Sequence, residues 1–134
     1  MSRLNNRLIN MSQAVSLPHH HDHHENHHEK AFSSLPQTDN FEQVAGVFKQ
    51  LSDPVRCRIF LLLCHSEECV INIAAFMNMS SPAVAHHLRL LKYSGLVQSR
   101  RDGKEVFYRA SDSDLAQELH HIIEKVMNLS CCND

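Results

Sequence analysis

The sequence predicts a mainly α-helical domain with one β-hairpin, with about five helices and two strands in all. Apolar residues recur at helical spacing in successive stretches that begin near residue 41. Before the last of these stretches, two short alternating runs flank an Asp-Gly pair, which is typical of a tight hairpin. The chain has 134 residues, so we expect one small domain with tails.

Residues 1–38 are predicted to form a disordered tail. Of the 12 histidines, seven lie between His19 and His28, and nothing in this stretch has a period that could pack against a core. Polar runs of this kind usually stay disordered. We therefore expect the domain over residues 39–130, followed by a short tail, 131–134, that holds Cys131 and Cys132.

The first four helices are predicted from apolar spacing and from capping residues. Asp53 before Pro54 is a favoured helix start, and a serine cap precedes Pro82 in the same way. These signals predict helices over about 41–51, 54–65, 70–77 and 81–93. The residues predicted to form their apolar faces are Phe41, Val44, Ala45, Val47, Phe48 and Leu51, then Val55, Ile59, Leu62 and Leu63, then Ile71, Ala74 and Ala75, and then Val84, Leu88 and Leu91.

The hairpin and the last helix complete the domain. Gly95 suits the left-handed position that follows a helix. The alternating runs 96–100 and 105–109 predict the two strands. Ser111 or Asp112 is expected to cap the last helix, which runs to about residue 129. Its predicted apolar residues are Leu115, Leu119, Ile122, Ile123 and Val126.

Two short helices joined by a tight turn and followed by a basic hairpin make a winged helix-turn-helix, whose second helix enters the major groove of double-stranded DNA. The formal charge of the chain is −2, yet residues 86–109 hold six Lys or Arg against two acidic residues, a local net of about +4. The candidate DNA-binding residues are Ser80, Ser81, Ala85, His86, His87 and Arg89 on the helix, and Arg100, Arg101 and Lys104 on the hairpin.

Five segments of the chain form an ordered set of motifs: FKQLSDPVR at 48–56, ECVINIA at 68–74, SSPAVAHHLRLL at 80–91, GLV at 95–97 and RDGKEVFY at 101–108. In this order they resemble the ArsR/SmtB family of small dimeric bacterial metalloregulators. The resemblance covers about residues 40–129. It implies a homodimeric repressor that occupies its operator without metal and releases it when metal binds, with the first and last helices at the dimer interface.

One metal site of the family needs a Cys-x-Cys in the helix before the recognition helix. Here Ile71 stands where the second thiol is needed, so we expect Cys69 to be a buried small residue. A second family site lies on the last helix. Its counterparts here are Asp112 and Asp114 of one protomer with His121 and Glu124 of the other.

This second site departs from the family pattern in two ways. Asp114 stands where the family usually has His, and the spacing to His121 is about one turn shorter than usual. Ungapped matching instead puts Lys125 and Asn128 at the distal positions, and these cannot make the site. The alternative is that Asp112 and Asp114 cap the helix and offset its dipole, while the distal histidine is interface surface.

The histidine-rich tail is an auxiliary candidate, since neutral imidazoles bind transition metals. We expect it to act as a scavenging arm rather than as the switch. Zinc is the leading ion, with nickel, cobalt and copper as alternatives. The tail ligands would be His19, His20, His21, His23, His24, His27 and His28.

Other functions remain open at this stage. Cys131 and Cys132 could make the chain an arsenite- or redox-responsive repressor, and the tail alone could make it a metal buffer. An enzyme is not expected, because the chain lacks a Gly-rich phosphate loop and a His-Glu-x-x-His motif. No window is apolar enough for a membrane span and no secretory signal is recognised, so we expect a cytoplasmic protein.

Overall fold

The computed structural model describes residues 38–131, together with Pro18, Ser34 and Leu35. The histidine run 19–28 and the segment 132–134 lie outside the described residues, so the prediction of two tails stays a prediction. The chain divides into two compact units, one ending at Ala45 and one beginning at Gly46. The first contains the beginning of the first helix, and the second contains every other element given below.

Five helices and three strands follow one another in the described part of the chain. The order of the helices and of the hairpin is the one predicted. A short strand before the third helix was missed, so the prediction of two strands was wrong by one. The elements are α1 Thr38–Leu51, α2 Pro54–His65, β1 Glu68–Cys69, α3 Val70–Met77, α4 Ser81–Tyr93, β2 Val97–Asp102, β3 Glu105–Ala110 and α5 Asp114–Cys131.

The three strands form one antiparallel sheet in the order β1-β3-β2. In β2 and β3, Val97 pairs with Ala110 and Asp102 with Glu105. This register leaves a two-residue turn in which Gly103 has a φ of 62°, a conformation that glycine adopts without strain. β1 is two residues long and pairs with β3 at Tyr108 and Phe107. A strand of that length is too short to show an alternating pattern.

Capping residues set the helix boundaries. The Arg56 amide donates to the Asp53 carboxylate at 2.9 Å at the start of α2. The Ala83 amide likewise donates to the hydroxyl of Ser80 at 3.3 Å at the start of α4. For α5 the predicted caps, Ser111 and Asp112, were wrong. Ser113 is the cap, since its hydroxyl accepts from the Ala116 amide at 3.2 Å, while Asp112 is bound instead to an arginine of β3.

The core lies where α2, α3, α4, α5 and β2 contribute apolar side chains. The apolar stripe predicted for α4 is confirmed, since Val84, Leu88 and Leu91 are all buried. The buried residues are Ile59, Phe60, Leu63, Ile73, Ala74, Met77, Val84, Leu88, Leu91, Leu96, Val97, Ala116, Leu119 and Ile123.

The predicted inward face of α3 was largely wrong. Ile71 is 69% exposed and Ala75 is also exposed, whereas Ile73 and Met77 are buried. Seven of the eight residues of this helix, VINIAAFM, are apolar, so periodicity cannot tell one face from another. β1 leads directly into this helix at Cys69, and the buried face of the helix consists of Ile73, Ala74 and Met77.

The apolar residues of α5 fall on two faces. Leu119 and Ile123 are buried as predicted, but Leu115 and Ile122 are each 48% exposed. On α1, Phe41 and Phe48 are also exposed. None of the helices in the described part of the chain is long and apolar enough to cross a membrane.

Candidate functional site

The second helix of the helix-turn-helix presents a polar face to solvent. α3 ends at Met77 and is followed by the capping residue Asn78, which has a left-handed φ of 53°, and α4 begins at Ser81. Ser81, His86 and Arg89 are exposed along α4, and Ala85 is half-buried. In the first turn of α4 the Ala83 amide donates to the Ser80 hydroxyl, and Pro82 has no amide hydrogen. The Ser81 amide and the serine hydroxyls are the donors left for phosphate oxygens.

His87 lies away from this exposed face. Its side chain is only 16% exposed, and its Nδ1 atom lies 3.9 Å from the Asp53 carboxylate and 3.4 Å from an Arg56 guanidinium nitrogen. Burial lowers the pKa of His87, and the nearby Arg56 acts in the same direction. His87 therefore joins α4 to the start of α2, and the structure does not bring it together with His86 and Arg89.

The candidate DNA-binding cations of the hairpin differ in whether they are paired with a carboxylate. Arg100 Nε donates to Glu67 Oε1 at 2.8 Å, and its guanidinium lies 4.9 Å from the centre of the Phe107 ring. Arg101 and Lys104 are exposed near the tip. Among the residues that the structure describes, Arg101, Lys104 and Arg89 of α4 take part in no ion pair. The part of the basic surface that no acidic side chain compensates is thus smaller than the count of Lys and Arg over residues 86–109 suggested.

Glu67, in the loop after α2, links both strands of the hairpin. It binds Arg100 of β2, and its Oε2 atom lies 3.8 Å from Nε of Arg109 in β3. The hydrogen bond from Arg100 lowers the pKa of Glu67. A second link runs from α4 to the sheet, where Lys92 Nζ donates to the hydroxyl of Ser99 at 2.7 Å. These contacts fix the orientation of the hairpin relative to the helices.

The four predicted metal ligands, Asp112, Asp114, His121 and Glu124, do not come together in the described part of one chain. Asp112 accepts two hydrogen bonds from Arg109, at 2.7 and 2.9 Å, and the Arg109 contact lowers the pKa of Asp112. Asp114 is the first residue of α5 and His121 is exposed. Of the four, only Glu124 belongs to a cluster of metal-ligating side chains in the described part of the chain.

Those partners of Glu124 were not predicted. His120 Nε2 lies 2.7 Å from Glu124 Oε1 and 3.2 Å from Nε2 of His65, at the end of α2. His65 Nε2 lies 3.7 Å from the same carboxylate oxygen. The i, i+4 spacing of His120 and Glu124 is a signal that the sequence offered. The contribution of His65 could not be read from it, because His65 precedes His120 by 55 positions.

The described cysteines are free thiols, Cys57, Cys64 and Cys69, each partly buried. Burial raises the pKa of Cys57. Burial, with the nearby Glu124 carboxylate, raises the pKa of Cys64 to about 11. A thiol of this kind stays protonated at neutral pH and is a poor nucleophile. Cys131 ends α5, but its side chain and the whole of Cys132 lie outside the described residues.

Known proteins resemble the chain through this helix-turn-helix. Residues 53–99 match the family described as bacterial regulatory protein, arsR family. The HTH-type transcriptional repressor SmtB of Mycobacterium tuberculosis is 31% identical over 108 residues, which are 81% of this chain and 78% of that protein.

Two further relatives are matched over a shorter stretch. A transcriptional repressor SmtB homolog of Synechocystis is 41% identical over 75 residues, 56% of this chain and 57% of that protein. A cadmium resistance regulatory protein CadC homolog of Staphylococcus aureus is 41% identical over 75 residues, 55% of this chain and 62% of that protein. The match thus spans less than two thirds of the length of these two relatives.

Solved structures agree with the fold. A homodimeric winged helix-turn-helix DNA-binding domain from Mycobacterium bovis superposes with a TM-score of 0.64 at 29% identity, covering 72% of this chain and 88% of that one. HlyU from Vibrio cholerae gives a TM-score of 0.62 at 23% identity, covering 67% and 97%, and supports the fold alone. The predictions of a winged helix-turn-helix and of a regulator rather than an enzyme are confirmed. The chain belongs to the arsR family of bacterial regulatory proteins.

Proposed function

We propose that the chain is a metal-responsive, DNA-binding transcriptional repressor that acts as a homodimer in the cytoplasm. The observation that carries the proposal is the exposed polar face of α4. Ser81, His86 and Arg89 stand on the second helix of a helix-turn-helix, and the exposed cations Arg101 and Lys104 lie on the adjacent hairpin. An exposed helix of this kind next to a cationic wing suits a major groove flanked by phosphates.

Each part of this surface has its own chemistry toward DNA. The Ser80 and Ser81 hydroxyls and the Ser81 amide, at the start of α4, would position the helix on phosphate oxygens. His86 and Arg89 can donate to the O6 and N7 acceptors of guanine, and the Ala85 methyl group suits the methyl group of thymine. His87 is mostly buried and contacts Arg56 and Asp53, so its side chain is not available to contact bases.

The wing would hold the sugar-phosphate backbone beside the groove. Arg101, whose Nε donates to the Gly103 carbonyl at 3.3 Å, and Lys104 could bind phosphates without breaking an ion pair. Arg100 would first have to exchange its contact with Glu67 for one with DNA. The charge available for non-specific attraction is therefore concentrated at the hairpin tip, and each phosphate contact adds to the salt dependence of binding.

Homodimerisation would use the exposed apolar residues of α5. Leu115 and Ile122 are each 48% exposed and lie seven residues apart on one face of α5, and a contiguous exposed apolar patch marks an interaction surface. The related M. bovis domain is described as homodimeric. A dimer would present two copies of α4 to a palindromic operator whose half-sites are about one helical turn apart.

Metal binding would release the operator. The relatives include a cadmium resistance regulator and SmtB repressors, which supports a transition metal as the inducer. One proposed site combines Asp112 and Asp114 of one protomer with His121 and Glu124 of the other. For this site Asp112 must give up its pair with Arg109. Zinc is the first ion to test, followed by nickel, cobalt and copper, and the seven tail histidines would raise the local metal concentration.

The test is fluorescence anisotropy with a labelled palindromic promoter fragment. Loss of a base-contacting side chain costs about 1–3 kcal/mol, so Arg89→Ala should weaken binding by about 5- to 150-fold. Lys125→Ala, which removes an exposed cation of α5, is the matched control and should bind as the wild type does. Equal affinity of the Arg89 variant and the wild type would contradict the DNA-binding proposal.

The metal response is measured in the same assay. An allosteric coupling of typical size, about 1–3 kcal/mol, would lower operator affinity by about 5- to 150-fold when zinc is added. Affinity that stays the same with zinc, nickel, cobalt and copper would exclude the metal switch. A protein that only buffers metal, by contrast, would not show the salt-dependent affinity for DNA that phosphate contacts produce.

A thiol-based arsenite or redox response is the second candidate. The raised pKa values of Cys57 and Cys64 make them unsuitable as sensing thiols, so this response would depend on the adjacent pair Cys131 and Cys132. Replacing both by serine should then abolish release by arsenite or oxidant and leave operator binding intact. A response that survives the double replacement rules this candidate out.

A further inference from the structure

We infer that His65, His120 and Glu124 of a single protomer form a binding site for a divalent transition metal ion. The site connects the last residue of α2 to the middle of α5. In the part of the chain that the structure describes, it is the only group of three His, Cys, Asp or Glu side chains whose ligand atoms converge, all within 4.8 Å of one another. It shares Glu124 with the site proposed between protomers and is otherwise distinct from it.

The distances fit tetrahedral coordination. Zinc binds imidazole nitrogen and carboxylate oxygen at about 2.0–2.2 Å, so neighbouring ligands of a tetrahedron lie about 3.3–3.6 Å apart. The three ligand atoms here are separated by 2.7, 3.2 and 3.7 Å. Only small side-chain rotations are needed to place one ion at equal distance from all three.

The three ligand atoms face one another across a small space. His120 Nε2 faces both Glu124 Oε1 and His65 Nε2. Without metal, a proton on His120 Nε2 can be shared between these two neighbours. With a cation in that space, both imidazole nitrogens and the carboxylate oxygen can direct lone pairs toward it, and two imidazoles with one carboxylate suit zinc and its neighbours in the transition series.

The surroundings leave room for a fourth ligand. His65 and His120 line a cleft of about 360 Å³, together with Cys64 and Gln117. The exposed fractions of the three ligating side chains are 60% for His65, 21% for His120 and 45% for Glu124, so water and ions can reach the site. Zinc sites with three protein ligands keep such an open position for water.

Metal at this site would act on the wing through Glu67. His65 is separated from Glu67 by a single residue, and Glu67 holds arginines of both wing strands. An ion that fixes His65 to α5 would also fix the loop that carries Glu67, and with it the orientation of β2 and β3. This regulatory consequence rests on the proposed repressor function, whereas the metal site itself does not.

The site is tested by cobalt(II) titration of the full-length chain in which the seven tail histidines are replaced by asparagine. Tetrahedral cobalt(II) has a characteristic visible absorption, and zinc competition gives the zinc affinity. His65→Asn and His120→Asn should each weaken binding at least about tenfold, because each removes a direct ligand and the loss of even an outer-shell partner typically costs about 10- to 100-fold. His121→Asn and Asp114→Asn are the matched controls, since they affect only the site between protomers, and should leave the titration unchanged.

The reverse pattern would overturn the inference. If the His121 and Asp114 variants lose the cobalt spectrum while the His65 and His120 variants keep it, the site between protomers is the one that binds. Circular dichroism of each variant without metal shows whether it folds. Should His120→Asn fail to fold, His65→Asn decides the matter, since the His65 side chain is 60% exposed.

Operator binding separates this inference from the proposed function. A cobalt titration with the expected pattern supports the site even if the wild type ignores metal when it binds DNA, in which case the metal switch fails. The link to the wing is tested by Glu67→Gln, which should bind cobalt as tightly as the wild type and yet lose the metal response of operator affinity. A full response in this variant would exclude Glu67 as the link.

Discussion

Helices α4 and α5 are both amphipathic, but within one protomer only α4 has its apolar stripe fully buried. The apolar side chains Val84, Leu88 and Leu91 are at most 1% exposed, and the opposite face of α4 is polar. α5 buries Leu119 and Ile123 and still leaves Leu115 and Ile122 about half exposed. The difference suggests that α4 is complete in one chain and has a face for DNA, whereas α5 has an apolar face for a second copy of the chain.

The largest effect should come from the buried stripe of α4. Leu88→Ala removes a side chain that is 1% exposed and leaves a cavity, so the free energy of unfolding should fall by about 2–5 kcal/mol. Leu115→Ala on α5 is the matched change at a half-exposed position. In urea unfolding at low protein concentration, it should cost clearly less. Equal losses would mean that the two helices are packed alike.

The exposed face of α5 should control self-association. Ile122→Glu places a charge where the proposed dimer would bury an apolar side chain, so the dimer should weaken at least about tenfold, which is about 1.4 kcal/mol. Gln117→Glu adds the same charge at another exposed position of α5 and should leave the dimer intact. Sedimentation equilibrium measures both, and a fully dimeric Ile122 variant would remove α5 from the interface.

A smaller effect is expected at the wing. Lys104→Ala removes one uncompensated cation, so the slope of log affinity against log salt should become shallower by about 0.9 if Lys104 contacts one phosphate. Arg100→Ala should reduce the slope less, because Glu67 already holds this arginine. Equal changes in the two variants would show that Arg100 leaves Glu67 when DNA binds.

The same contrast explains which parts of the fold the sequence could predict. α4 has a serine cap, a proline in its first turn, a clear apolar stripe and a glycine after its end, and these independent signals agree. Its bounds, Ser81–Tyr93, are those predicted. α3 has only apolar spacing, with almost no polar residue to mark its outer face, and there the predicted phase failed at Ile71 and Ala75.

The candidate site was less predictable, since its contacts join distant parts of the chain. The exposed residues Ser81, His86 and Arg89 follow from helical spacing alone. The contact of His87 with Asp53 and Arg56 depends on how α4 packs against α2. The pairing of Glu67 with Arg100 joins residues 33 positions apart. Local patterns contain no information on such pairs.

The smallest predicted effect concerns His87, which lies between the buried stripe and the exposed face of α4. Burial lowers its pKa in the folded chain, with Arg56 and His86 acting in the same direction and Asp53 opposing them. The unfolded chain, with a histidine pKa of about 6.5, therefore binds more protons in the window just below that value. Stability then rises with pH. His87 therefore destabilises the folded chain as the pH falls through about 6.5. Asp53 makes this effect smaller, because its charge raises the pKa of His87.

Replacing His87 should remove this loss. Urea unfolding at about pH 7.5 and about pH 5.5 gives the pH-dependent part of the free energy of unfolding. It should be smaller in His87→Gln than in the wild type. His86→Gln removes only the last of the listed causes of the His87 shift and should keep most of the wild-type difference. The other histidines contribute equally to all three proteins and cancel in the comparison. An unchanged pH dependence in His87→Gln, or a larger change in His86→Gln, would mean that the exposed face of α4 extends to His87, and His87 would then return to the set of residues available to DNA.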